Sequence, residues 1–211
     1  MRGRRSVIPG FGMKIIILFP TATEAALFSS PEVTSLVTGV GLTATAYATL
    51  KTIHEHRPDW LILAGVAGAF AHSGLGIGDV ALVESEVEAD LGFFTKDGFT
   101  HLAHLPIDME FERRHILDCP HLPESDVFKR ARSISLNAAM APFVDTREAD
   151  LENMEGAAFF HVCRQEGQRF LELRAISNTV GPEADDWDLP GSVRVLTDAL
   201  HRLVDVVKGA A

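Results

Sequence analysis

The strongest constraint on this chain is Ile15–Phe19, five consecutive large apolar residues with no polar position to mark a solvent face. A strand with one wet face alternates apolar and polar residues. A continuous β-branched and aromatic run predicts a strand covered on both sides, as in a sheet flanked by helices. Leu61–Ala64 repeats the signature and runs into Gly65-Val66-Ala67-Gly68-Ala69-Phe70. Thr21 or Thr23 is placed to cap a short helix through Phe28. Val33–Val37 reads as a strand ended by Gly39-Val40-Gly41. Leu42–His56 reads as a helix with Leu42, Ala46, Leu50 and Ile53 on one stripe, stopped by Pro58. Further strands are predicted over Asp79–Val83, Val127–Leu136 and Phe170–Ile176. Helices are predicted over Met154–Gln165, closed by Gly167, and over Val193–Val207, while Phe93–Pro106 reads as a loop. This alternation predicts an α/β fold, a three-layer α/β/α sandwich on a mixed central sheet.

Residues 1–12 carry three arginines, glycines and a proline, and no periodicity, so they read as a disordered extension. Residues 13–211 are expected to form a single domain, in keeping with their length. Lys plus Arg total 19 against 29 for Asp plus Glu, a net charge of −10, which argues against nucleic acid as a partner. The longest small or apolar run, Trp60–Ala71, falls short of the roughly 20 residues a membrane-spanning helix needs. Only Cys119 and Cys163 are available for a disulfide framework, and they stand in unrelated contexts, so a reduced, cytoplasmic setting is expected.

Nine histidines invite a metal reading. His54 and His56 lie two apart on a helix and cannot face one ion, and His101 and His104 have no cysteine pair to complete a tetrahedral set, so no metal is expected. The Gly39-Val40-Gly41 turn lacks the third glycine of a dinucleotide fingerprint, and no cofactor is expected.

Three segments carry candidate chemistry. Glu24 follows the first buried strand, at the sheet edge where open α/β folds bind ligands, although taken alone a helix-terminal acid is the better explanation. Glu152-Asn153-Met154-Glu155-Gly156-Ala157-Ala158 puts carboxylates and an amide at the start of a close-packing helix. Arg174-Ala175-Ile176-Ser177-Asn178 ends a strand in two polar side chains suited to a planar base.

Taken with Met13–Glu24, Thr38–Gly41 and Ala64–Gly68, these motifs resemble the nucleoside phosphorylase superfamily, most nearly its nucleosidase branch and, within that, the futalosine hydrolases. The resemblance implies hydrolysis of the N-ribosidic bond of a purine nucleoside, futalosine giving hypoxanthine in menaquinone biosynthesis, by a homodimer or larger homo-oligomer. It also implies roles. Glu24 would activate water, Glu155 would hold the ribose hydroxyls with Met154 under the sugar, and Asn178 would address purine N7. Asn153, Ala67, Gly68, Ser177 and Asn137 would complete the substrate site. Adenine-specific nucleosidases carry Asp where this chain has Asn178, and the Asn amide, which can donate to both O6 and N7, favours a 6-oxopurine. For stacking on the base the candidates are Phe160 or a loop aromatic. For the 5′ group they are Arg147 or a neighbouring subunit, with the segment from Asp90 to Val127 shaping that end. Asp90 is the second candidate base. The alternatives are a methylthioadenosine/adenosylhomocysteine nucleosidase, a purine nucleoside phosphorylase, and a nucleoside-binding protein that kept the fold without the chemistry.

Overall fold

The computed structural model describes residues 12–105, 115–124, 127–181 and 186–209. Apart from Gly12, the expected N-terminal extension therefore lies outside the described residues, as does Pro106 of the expected loop. The strands are β1 (Ile15–Phe19), β2 (Val33–Val37), β3 (Trp60–Ala69), β4 (Val80–Glu88), β5 (Gly92–Thr95), β6 (Gly98–His101), β7 (Leu117–Asp118), β8 (Lys129–Ser135), β9 (Leu151–Asn153) and β10 (Phe170–Thr179). The α-helices are α1 (Ala22–Ala25), α2 (Leu42–His56), α3 (Gly156–Gln165) and α4 (Leu189–Gly209). No helix among the described residues is long and apolar enough to cross a membrane.

The central sheet is mixed and covered by helices, as the doubly buried strands require. β1 lies between β2 and β3, all parallel, and every residue of β1 is buried. β3 continues parallel to β10, β10 meets β4 antiparallel, and β4 runs parallel to β8. Short β9 then pairs parallel with β8 and antiparallel with β3. The path β3–β10–β4–β8–β9–β3 thus closes on itself, a ring that a flat sandwich would not have. Closure pairs the ring strands on both sides, leaving β2 as an edge outside the ring, and curls the C-terminal half of β3 around a common centre. α4 packs on β10 and β3, α3 on β4 and β8, and α2 against α3.

Two local expectations need correction. In α2 the buried positions are Leu42, Thr45, Thr49 and Thr52, whereas Leu50 is 41% exposed. Its buried face is set by contact with α3, which accepts threonine where a hydropathy stripe asks for leucine. Phe93 to His101 is not a loop: β5 and β6 form an antiparallel hairpin with Phe94 opposite Phe99. Its rings pack edge-on, Phe94 to Phe99 at 5.6 Å and Phe94 to Phe143 at 5.0 Å, while Phe94 itself stays exposed.

α3 begins at Gly156, buried against a pair of carboxylates. A methyl group there would stand 2.1 Å from Glu86 Oε1 and 2.7 Å from Glu172 Oε1. Glycine to alanine in a helix ordinarily gains roughly 0.5–1 kcal/mol. At this site Gly156→Ala is expected to reverse the sign and destabilise by about 1–3 kcal/mol through overpacking. Chemical denaturation measures it, and an unchanged or raised midpoint would show that the carboxylates can yield.

Candidate active site

The C-terminal ends of β1, β3, β9 and β10 converge on a cavity of about 340 Å³. Its lining includes Glu24, Ala67, Gly68, Asn153, Met154, Glu155, Ser177 and Asn178, so most of the residues expected from sequence are brought together. Asn137 is not among them. Its backbone N–H and side-chain amide are bound to the Asp90 carboxylate, the former at 2.7 Å, so the two brace each other away from the cavity.

Glu24 is buried at 5% exposure. Thr21 caps α1 by accepting from the Glu24 N–H at 3.2 Å, and its hydroxyl donates to Glu24 Oε2 at 2.6 Å. The Val66 N–H on β3 donates to Oε1 at 3.0 Å. α1 is only four residues long and offers little dipole for an acid to answer. Glu24 is aimed across to β3 instead, with a donor on each oxygen.

Glu155 precedes α3 and accepts from the Gly41 N–H at 3.1 Å and from Arg174 Nη1 at 3.2 Å. Arg174, on β10, is fully buried and also donates to Glu172 at 2.7 Å, to the Val66 carbonyl at 3.2 Å and to Asn153 Oδ1 at 3.1 Å. Burial works against its charge, but Glu172 and Glu155 more than offset that and hold its pKa above the usual value. A Cβ on Gly65 would lie 2.7 Å from Arg174 Nη1 and 2.8 Å from Glu24 Oε1, so glycine is what lets both side chains close over β3.

Asn153 faces the cavity but is saturated from behind. Its amide donates to Glu86 at 2.6 Å and Ser133 at 2.8 Å, and Oδ1 accepts from the N–H groups of Glu155 and Gly156. Glu86 lies fully buried, and burial followed by the nearby Glu172 charge pushes its carboxyl well above the usual range. Both causes disfavour its ionised form behind the site.

Asn178 has its amide orientation set by its neighbours. Nδ2 lies 3.2 Å from the Thr179 carbonyl, which only an amino group can face, and Oδ1 accepts from Ser177 Oγ at 2.9 Å. One amide hydrogen therefore remains for a ligand.

Several lining residues had not been singled out from sequence. Trp187 lies at the cavity between two anchors, Asp186 accepting from the Thr179 N–H and the Asp188 N–H donating to the Ser177 carbonyl. Its sequence signal was a lone aromatic in an acidic loop after a strand end. Phe160, the aromatic expected from sequence, is wholly buried in the core against Phe170. Glu152 reaches the cavity from β9, and its Oε1 accepts from the Met140 N–H at 3.0 Å. Burial raises its pKa. Met140, also at the cavity, has φ +59°, a left-handed conformation uncommon for a residue with a side chain. Arg147 is paired with Asp145 at 2.6 Å on the surface and does not line the cavity. Part of the segment expected to shape the 5′ end, 106–114 and 125–126, lies outside the described residues.

Comparison with known proteins agrees with this arrangement. Residues 21–208 match the family described as the Phosphorylase superfamily. A futalosine hydrolase from Thermus thermophilus is 34% identical over 190 residues, 83% of this chain and 82% of that protein. A 5′-methylthioadenosine/S-adenosylhomocysteine nucleosidase from Anoxybacillus flavithermus is 29% identical, covering 73% of this chain and 71% of that one. Among solved structures, the futalosine hydrolase of Helicobacter pylori superposes with a TM-score of 0.70 at 19% identity, over 92% of this chain and 97% of that one. An Arabidopsis thaliana 5′-methylthioadenosine nucleosidase gives 0.74 at 21%, over 93% and 96%. The shared fold, the family match and these relatives together establish that the chain belongs to the phosphorylase superfamily, in its nucleosidase branch.

Proposed function

We propose that this protein hydrolyses the N-ribosidic bond of a purine nucleoside, with futalosine as substrate and hypoxanthine as the base released. The observation that carries the reading is the convergence of Glu24, Glu155 and Asn178 on one cavity. Cleavage of a ribosidic bond builds positive charge on the sugar and negative charge on the leaving base. Glu24 takes a proton from water as its oxygen attacks C1′. Glu155, fixed by Arg174 and Gly41, accepts from the ribose hydroxyls, and Met154 packs beneath the ring. Asn178 donates its remaining amide hydrogen to the departing base, and Trp187 supplies the aromatic face. Futalosine rather than methylthioadenosine is favoured by the one free Asn178 amide hydrogen, which the O6 and N7 acceptors of a 6-oxopurine can share and which an adenine N6 donor would oppose.

Water rather than phosphate is the nucleophile in this reading. A phosphate co-substrate needs arginine, lysine or a nest of backbone N–H groups. The described lining residues include three carboxylates, Glu24, Glu152 and Glu155, and no Lys, Arg or His. A binding protein that had lost the chemistry would have no use for a buried carboxylate held as Glu24 is.

The protein acts as a homodimer or larger assembly. Phe94 of the β5–β6 hairpin stands exposed beside the partly exposed Phe143, three residues from the cavity-lining Met140. Covering them with a second copy would close the site near its 5′ side. Sedimentation at micromolar concentration should show a dimer or larger species, and a fully active monomer would count against the assembly.

Two substitutions test the chemistry. Glu24→Gln keeps the size and one acceptor but removes the base, so hydrolysis should fall by about 10²–10⁴-fold while an analogue binds nearly as before. A lowered thermal midpoint with normal hypoxanthine release would return Glu24 to the role of a helix-terminal acid. Glu155→Gln should lower kcat more than it raises KM, because the hydroxyl contacts strengthen as the sugar becomes cationic. Steady-state kinetics decide this, and unchanged turnover would remove Glu155 from the reaction.

A further inference from the structure

Gly68 sits between two readers. In the sheet it is the register partner of Asn178 on β10 and of Glu152 on β9. Residues in register on neighbouring strands project from the same face. Asn178 and Glu152 therefore rise on either side of a residue with no side chain, two strand spacings or about 10 Å apart. All three line the cavity. A Cβ on Gly68 would stand 3.0 Å from Asn178 Nδ2 and 2.7 Å from the Val180 side chain, so the floor between the two readers is open only because position 68 is glycine.

From this placement we infer that Glu152 is a second specificity residue, reading purine N1: its carboxylate accepts the N1–H of a 6-oxopurine and turns away the bare N1 acceptor of adenine. The inference rests on the reading of this cavity as a purine site and deepens it, because N1, like the 6-position, switches between donor and acceptor in the two base classes. Oε1 of Glu152 is already committed to the Met140 N–H, which leaves Oε2 for a ligand. Burial raises the Glu152 pKa, and the Met140 N–H opposes that rise by stabilising the ionised form, the one that accepts from N1–H and cannot donate to adenine. The same bond ties Glu152 to Met140, whose left-handed backbone is the kind of local strain that a functional contact maintains. A site built around a buried acceptor rejects a base that cannot donate to it, since the carboxylate would be left desolvated and unpaired. With Asn178 at O6 and N7 and Glu152 at N1, one edge of the base is read at two separated points.

The test uses two nucleosides that differ only in the base, futalosine and its 6-amino counterpart, with the wild type and Glu152→Gln. In the variant the Met140 N–H pins the amide oxygen, so the amino group faces N1. It then opposes N1–H and donates to adenine. The wild type should prefer the 6-oxo substrate in kcat/KM, and the variant should lower that preference by about 10- to 100-fold at an unchanged thermal midpoint. Both substrates slowed alike, or an unchanged ratio, would overturn the role of Glu152 while leaving the 6-oxopurine hydrolase reading intact. A wild type with no 6-oxo preference, or releasing no base, would overturn the proposed function and this inference with it. Should the variant fail to fold, the wild type alone decides. Hypoxanthine should inhibit at least about tenfold better than 1-methylhypoxanthine, which lacks the N1 donor. Equal inhibition, or none by either, would overturn the assignment.

Discussion

Arg174 is the largest fully buried side chain of the described residues, and the site is arranged around its charge. A guanidinium cannot be left alone in a low-dielectric interior, because the penalty for stripping its water is several kcal/mol unless ion pairs and hydrogen bonds replace it. Here the replacements are Glu172, Glu155, the Asn153 amide oxygen and the Val66 carbonyl. Each fixes a different part of the cavity. Glu155 is held at the mouth of α3, Asn153 at the end of β9, and the β3 backbone beside Glu24. One buried cation thus sets the relative positions of groups contributed by three strands and a helix.

A single arginine cannot neutralise every acid around it. Glu24, Glu155 and Glu172 draw on it, while Glu86 stands within reach of Glu172 and of the space beside Gly156. Burial and the Glu172 charge disfavour ionisation of Glu86, the direction that relieves that excess of negative charge. Ser135 and Asn153 both donate to it, so its carboxyl is held as firmly as those of the cavity. Carboxylates that line the cavity are in this way locked in place beforehand, which is the condition under which fixed charge is most effective.

Three glycines make this crowding possible. Gly65, Gly68 and Gly156 do not appear among the positive-φ glycines, and each would place a Cβ within 3.0 Å of a side chain belonging to the site. They serve close approach rather than an unusual turn. The positive-φ glycines Gly39 and Gly41 have the other use, turning the chain so that a backbone N–H meets Glu155.

What the sequence by itself determined is whatever local pattern expresses. β1, β2 and α2 run over the residues expected of them, because continuous apolar runs, Gly turns and a proline stop act within a few residues of themselves. The mixed α/β class follows from the same alternation, and the family from motifs such as Asn153-Met154-Glu155-Gly156 that stand contiguous in the chain. The tertiary structure decided everything that depends on register. The three residues of β9 carry no readable period, yet pairing with both β3 and β8 closes the ring and brings Glu152 beside Gly68. Trp187 reaches the cavity on a loop anchored by two hydrogen bonds, one to the Asp186 carboxylate and one between backbones, while Phe160, equally aromatic in the sequence, turns into the core. Asn137 is near the right strand end but is captured by Asp90. Hydropathy is a property of a residue and its near neighbours, whereas the partner across a sheet lies far along the chain. Only the folded backbone, with its strand spacing and buried charge, selects which distant side chains share one face.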